Sequence, residues 1–190
     1  MKFYQAVMTV VLCLYAGVAS AQTTQRAFDI NLNDDVVAAD FGWRLGGRQL
    51  HAGIGWLHNQ DRGDIVHLAM HLVDAAAGGG DTLQAGLGLR LVYANPDESS
   101  LDGGAVALGG FARYVLPNAN RLHIAGHLYY APDVVSFGDV SEYYEVGARI
   151  GYNVIRDADV YLGVRSVKTD YELGDLSFDS GLHVGFQFRF

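Results

Sequence analysis

Between Thr82 and Tyr93 the side chains change character at every step. Leu83, Ala85, Leu87, Leu89, Leu91 and Tyr93 fall on one face of an extended chain, while Thr82, Gln84, Gly86, Gly88, Arg90 and Val92 fall on the other. A period of two marks a β-strand with one apolar face, and a helix cannot satisfy it. The pattern returns down the chain. Leu122, Ile124, Gly126, Leu128 and Tyr130 oppose Arg121, His123, Ala125, His127 and Tyr129. Tyr144, Val146, Ala148, Ile150 and Tyr152 oppose Tyr143, Glu145, Gly147, Arg149, Gly151 and Asn153. Val160, Leu162 and Val164 oppose Asp159, Tyr161, Gly163 and Arg165. A chain built this way needs one environment for its greasy faces and another for its small and polar ones.

Turn residues punctuate the alternation at Gly46-Gly47, Asp61-Arg62-Gly63-Asp64, Gly78-Gly79-Gly80, Asn95-Pro96-Asp97, Pro117-Asn118-Ala119-Asn120, Pro132-Asp133 and Arg156-Asp157. Between them the pattern predicts about ten strands, near residues 28–32, 36–45, 48–58, 65–73, 82–94, 104–116, 121–131, 140–154, 159–169 and 176–190. An even number of strands of roughly 9–11 residues is what a closed, antiparallel, up-and-down transmembrane β-barrel needs. The first pair is short, which leaves an eight-stranded count open. In a soluble barrel or sandwich the polar face would meet water and be rich in Lys, Glu and Thr. Here it carries Gly, His, Arg and Tyr, and Lys168 is the only lysine after Lys2. Aromatics gather toward strand ends at Trp43, Trp56, Tyr93, Tyr114, Tyr130, Tyr144 and Phe190, where a membrane barrel places its girdles. The all-β membrane barrel is the expectation, and a soluble periplasmic lipocalin-like binding barrel is the alternative.

The start of the chain reads as an address. Lys2 supplies a positive charge, Val7 to Val18 is uncharged and mostly apolar, and Ala19-Ser20-Ala21 has the small-x-small form that signal peptidase cleaves. The apolar run is shorter than the ~20 residues of a permanent membrane helix. The sequence therefore predicts a cleaved signal peptide over residues 1–21 and one exported barrel domain over residues 22–190. Cys13, the single cysteine, leaves with the signal, so no internal disulfide and no thiolate zinc cluster is expected. A length of 190 residues has room for one domain, and a net charge of -8 lacks the basic footprint of a general nucleic-acid binder.

The last strand carries a second address. Leu182, Val184, Phe186, Phe188 and Phe190 alternate with His183, Gly185, Gln187 and Arg189. His183, Gly185, Phe188 and Phe190 fit the polar-x-Gly-x-x-aromatic-x-aromatic form of the signal read by the barrel-assembly machinery of outer membranes, an expected partner during insertion. Several segments then resemble one family. They are Trp56-Leu57-His58-Asn59 followed by Gly63-Asp64, Val92-Tyr93-Ala94-Asn95-Pro96, and Gly103-Gly104-Ala105-Val106-Ala107-Leu108-Gly109-Gly110. Further on come Tyr129-Tyr130-Ala131-Pro132-Asp133, Tyr143-Tyr144-Glu145-Val146-Gly147-Ala148-Arg149 and Val160-Tyr161-Leu162-Gly163-Val164-Arg165. Together they resemble the YfaZ family of small outer-membrane proteins, from about Phe41 onward and most closely from Val92 to Arg165. The resemblance implies an outer-membrane barrel and carries no established activity with it.

Candidate chemistry is sparse. His67 and His71 have helical zinc spacing, yet Leu68 stands where a metalloprotease has Glu. On a strand the two rings lie roughly 13 Å apart, too far to share a metal. No His is followed two positions later by Ser, as it is in lipid A deacylases. No catalytic residue, metal or cofactor is expected, and an outer-membrane lipid-modifying hydrolase stays as an alternative because triads are set by geometry.

Charge sorting says more. With the apolar faces toward lipid, the lumen receives Arg44, Arg90, Arg113, Arg149, Arg165 and Arg189 against Asp40 and Glu145. His51, His67, His71, His123, His127 and His183 join them, while most acids fall in connections. The expected function is a structural barrel, or a narrow pore or binding barrel whose basic lumen takes a small anionic solute. Small barrels fill their interiors, so a plugged lumen with paired charges is expected over an open channel. Titration of the luminal His near pH ~6.5 would raise any anion preference in mild acid. Outer-membrane lipid is the expected surrounding, and the acidic connections would meet lipopolysaccharide phosphates through divalent cations.

Overall fold

The structure, a computed structural model, describes residues 26–46, 49–75, 82–97, 101–171 and 174–190. The predicted signal peptide, residues 1–21, and the triglycine 78–80 lie outside the described residues. The wall consists of β1 (Arg26–Leu32), β2 (Val36–Arg44), β3 (Leu50–Asn59), β4 (Gly63–Ala75), β5 (Leu83–Pro96), β6 (Gly103–Leu116), β7 (Ala119–Ala131), β9 (Val140–Ile155), β10 (Ala158–Tyr171) and β11 (Gly174–Arg189). A 3-10 turn, Asp133–Val135, and the three-residue strand β8 (Ser136–Gly138) cap the connection between β7 and β9. Each wall strand pairs antiparallel with the next, β5 with β6 included, and β1 pairs with β11 to close the ring. At the seam, Arg26 N–H donates to Phe190 O at 2.8 Å and Phe190 N–H donates to Arg26 O at 2.9 Å. The barrel has ten strands, which settles the count left open between eight and ten.

Every predicted strand lies within two residues of an observed one. Alternation fixes this agreement, because a one-residue slip would turn each apolar set inward. The two ends of the cylinder are named here by what they hold. The base carries Arg26, Phe190 and the tight turns at 117–118 and 156–157; the tip carries the 3-10 turn and β8.

Leu72, Leu87, Leu108, Ile150 and Leu182 stand exposed on the outer wall, along with Met70, Leu89, Ile124 and Val164. An apolar surface that encircles a protein is untenable in water and suits hydrocarbon. Trp56, Tyr93, Tyr130 and Tyr144 stand outward toward the tip, and Tyr114, Tyr152, Phe188 and Phe190 toward the base. These are the two aromatic girdles of a membrane barrel. The molecule is an exported outer-membrane β-barrel. The soluble lipocalin-like alternative fails on this outer surface.

Inside, the tip half is packed shut. Val36, Leu57, Ile65, Val92, Tyr129, Tyr143, Val167, Tyr171 and Phe178 form a continuous buried cluster. Phe178 enters through a β-bulge: Val167 lies opposite Asp179 and Lys168 opposite Ser177, so Phe178 is the extra residue. Two residues facing one bend the strand and let Phe178 and Asp179 both turn inward, where both are buried. Asn59 Nδ2 donates to Phe178 O at 2.8 Å, tying β3 to β11 across the lumen.

Candidate functional site

The lumen is built on pairs of glycine and ring. Gly55 lies directly opposite His67, Gly88 opposite His71, Gly109 opposite Tyr129, and Gly147 opposite His127. Gly151 faces His123, Gly163 faces His183, Gly185 faces Tyr161 and Gly86 faces Phe111. In each pair a Cβ on the glycine would collide with the facing residue, mostly with its ring. A ring laid flat along the wall needs a neighbour without a side chain, and this explains why the polar faces are rich in Gly, His and Tyr together. The luminal His are wall-packing groups first.

Charged side chains cross the remaining space. Strands that are not neighbours can touch only through the interior, so such contacts prove that the side chains point inward. Arg90 on β5 donates to Glu145 on β9 at 2.5 Å and lies 3.8 Å from the Tyr129 ring centroid. Glu145 also accepts from Tyr143 OH at 2.5 Å, and His127 Nε2 lies 3.0 Å from its other oxygen. Tyr129 OH and His71 Nε2 are 2.7 Å apart, and His67 Nε2 lies 3.0 Å from Asp40. His67 and His71 therefore take separate partners.

Toward the base, Arg149 donates to Asp29 at 2.7 Å, with Gln187 Nε2 and Tyr161 OH donating to the same carboxylate. Arg189 grips both oxygens of Asp159 at 2.6 and 3.0 Å. Arg113 reaches Asp159 at 3.5 Å and His123 lies 3.9 Å from it. Toward the tip, Arg165 donates to Asp179 at 2.7 Å while Asn33 Nδ2 donates to it at 2.9 Å. Breaking a buried pair of this kind by removing one member costs about 3–5 kcal/mol, because the other charge stays behind.

These contacts correct the charge balance expected from sequence. Asp29, Asp159 and Asp179 join Asp40 and Glu145 inside, so the interior is close to balanced rather than strongly basic. Parity was the signal for Asp159 and Asp179, which alternate in step with Arg165 and His183. Asp29 sits on the shortest wall strand, where alternation has few residues to show itself. Arg44 is the exception to pairing. It ends β2 directly opposite His51, and among the described residues its Nε has no hydrogen-bond partner and its guanidinium has no ion pair. In the C-terminal strand, His183 is buried in the lumen opposite Gly163, while Phe188 and Phe190 stand exposed on the outer wall, their rings 6.0 Å apart.

A structure of the KdgM porin is 13% identical, covers 87% of this chain and 99% of its own, and superposes with a TM-score of 0.47. KdgM in complex with disordered oligogalacturonate gives 0.48 at the same identity and coverage. The NanC porin is 10% identical over 88% of this chain and 100% of its own, with a TM-score of 0.47. No functionally curated protein matches the sequence. A family model described as YfaZ precursor matches residues 2–190, nearly the whole length. The chain belongs to the YfaZ family.

Proposed function

We propose that this outer-membrane barrel binds or passes a small anionic solute through a narrow, tip-stoppered lumen and performs no catalysis. The observation that carries the reading is the sorting of charge along the axis. A buried apolar cluster closes the tip, where Arg165 is paired with Asp179 and Arg90 with Glu145, whereas Arg44, Arg113, Arg149 and Arg189 stand in the base half against Asp29, Asp40 and Asp159. The luminal His support the absence of catalysis, since His67, His71, His123, His127 and His183 each lie over a glycine. Around the barrel, the proposed partners are membrane lipid along the apolar wall and lipopolysaccharide at the acidic tip. His183, Gly185, Phe188 and Phe190 form the proposed signal to the assembly machinery.

Planar-bilayer recording with a salt gradient across the membrane tests this. The native protein is expected to give a small, anion-selective current, and Phe178→Ala a larger one of the same selectivity. Silence in both proteins, together with no anion binding by the native barrel, would leave a purely structural barrel.

A further inference from the structure

We infer that the base half of the lumen holds a binding cup for one compact divalent oxyanion of the phosphate or dicarboxylate kind; this deepens the solute reading above and rests on it. Two independent features meet there.

One is bare wall. Ala27, Gly42, Gly53 and Ala69 lie side by side across β1 to β4, each directly opposite the next. No side chain covers the two glycines: a Cβ on Gly42 would meet a single backbone oxygen at 3.7 Å, and one on Gly53 only backbone atoms, at 3.4 and 3.9 Å. Elsewhere in the lumen a glycine typically sits beneath a ring. Here, among the described residues, no side chain occupies the space over the two glycines.

The other is charge. Arg44 stands next along β2 from Gly42 on that face, with its Nε unpartnered among the described residues. Arg113, Arg149 and Arg189 line the same half from β6, β9 and β11. Their side chains are 22%, 26% and 31% exposed, whereas Arg90 and Arg165 deeper in the barrel are 11% and 9% exposed. The carboxylates of Asp29 and Asp159 lie beneath them, 10% and 1% exposed. Asp40, directly opposite Asp29 on β2, is 41% exposed and lies 3.0 Å from His67, so solvent meets guanidinium groups and this one carboxylate, with Asp29 and Asp159 screened behind. Against Asp29, Asp159 and Asp40, two of the four guanidiniums keep donors to spare: Arg44 has no ion pair among the described residues, and Arg113 lies 3.5 Å from a carboxylate that Arg189 already grips through both oxygens, so a ligand with two negative charges finds two partners. Guanidinium forks suit planar or tetrahedral oxyanions through paired hydrogen bonds. The apolar stopper closes the far side, so the ligand enters and leaves at the base.

Isothermal titration of the folded full-length barrel in detergent at neutral pH tests the cup, with inorganic phosphate, succinate and acetate as probes. Phosphate, succinate or both should bind saturably at one site, at least tenfold tighter than acetate. The Arg44→Gln/Arg113→Gln double variant should lose at least tenfold in affinity, and Gly53→Leu, which fills the space without touching charge, should lose as much. Arg62→Gln, in a tip turn, should bind as the native protein does. Each variant is first checked for the heat-dependent gel shift of a folded barrel. Equal binding of acetate and the dianions, or unchanged affinity in the double variant and in Gly53→Leu, overturns the cup. If the native barrel still conducts anions in that case, the solute reading survives the loss of the cup; if it neither binds nor conducts them, both fall.

Discussion

At the scale of single residues, the interior is governed by which glycines are covered and which are bare. His123 is buried to 1% exposure and its ring lies over Gly151, where a Cβ would occupy the ring's own space. The ring cannot retreat without breaking its contacts to Asn153 and Asp159. Gly151→Ala should therefore destabilise the folded barrel by about 1–3 kcal/mol, as overpacking does in tight interiors. Gly181→Ala is the matched comparison, because a Cβ there meets nothing within 4 Å. Its backbone is ordinary strand, so the loss of chain entropy in the unfolded state should leave it neutral or more stable by about 0.4–1 kcal/mol. Urea unfolding of the two variants in detergent micelles reads the difference directly, and equal midpoints would remove the ring-on-glycine account of the wall.

At the scale of elements, strand boundaries, facing and closure follow from alternation and turn residues, because a membrane barrel enforces one environment per face on every strand. What alternation conceals is register across the lumen. The pairing of Arg90 with Glu145 joins β5 to β9, and nothing local to either strand announces it. The bulge that brings in Phe178 is equally silent, since one extra residue in a strand leaves the apolar count unchanged. The tip hairpin shows the cost of another register. Asp170 on β10 lies directly opposite Asp175 on β11 and Glu142 on β9, two residues beyond the girdle position of Tyr144, which faces Lys168. Burial first, then the charges of Asp175 and Glu142, raise the Asp170 carboxyl above its ordinary value. The folded chain thus holds this proton more tightly than the unfolded chain does. Its contribution to stability is fully present below the ordinary carboxylate pKa and is lost as pH rises through the raised value. Asp175→Asn should accordingly raise the unfolding temperature at neutral pH and leave it unchanged at pH ~3, below the ordinary value for Asp. A gain of the same size at both pH values would show that like-charge repulsion is not the cause.

At the scale of the whole molecule, the barrel is sorted twice: radially, with hydrocarbon-loving side chains outside and rings, guanidiniums and carboxylates inside, and axially, with an apolar stopper and buried ion pairs toward the tip and solvent-facing guanidiniums toward the base. The radial sorting fixes the membrane, and the axial sorting decides how water reaches the interior. Both can be read with one kind of probe. Leu87 and Phe186 are exposed on the outer wall, and Val146 faces outward on β9. Asn153 and Gln84 face the lumen toward the base, whereas Ala105, with 0% exposure, faces it within the stopper. Spin labels at Leu87, Val146 and Phe186 should be relaxed by dissolved oxygen and shielded from a water-soluble nickel complex. Labels at Asn153 and Gln84 should meet the nickel complex from the base. A label at Ala105 should disrupt packing and, where the barrel still folds, remain shielded from both reagents. Nickel access at Leu87 would mean that the apolar face is wetted and would remove the membrane assignment, and with it the enclosed charge on which solute binding depends. Nickel access at Ala105 in a folded barrel would instead show that the tip is open, which would turn the stoppered cup into a through-going channel.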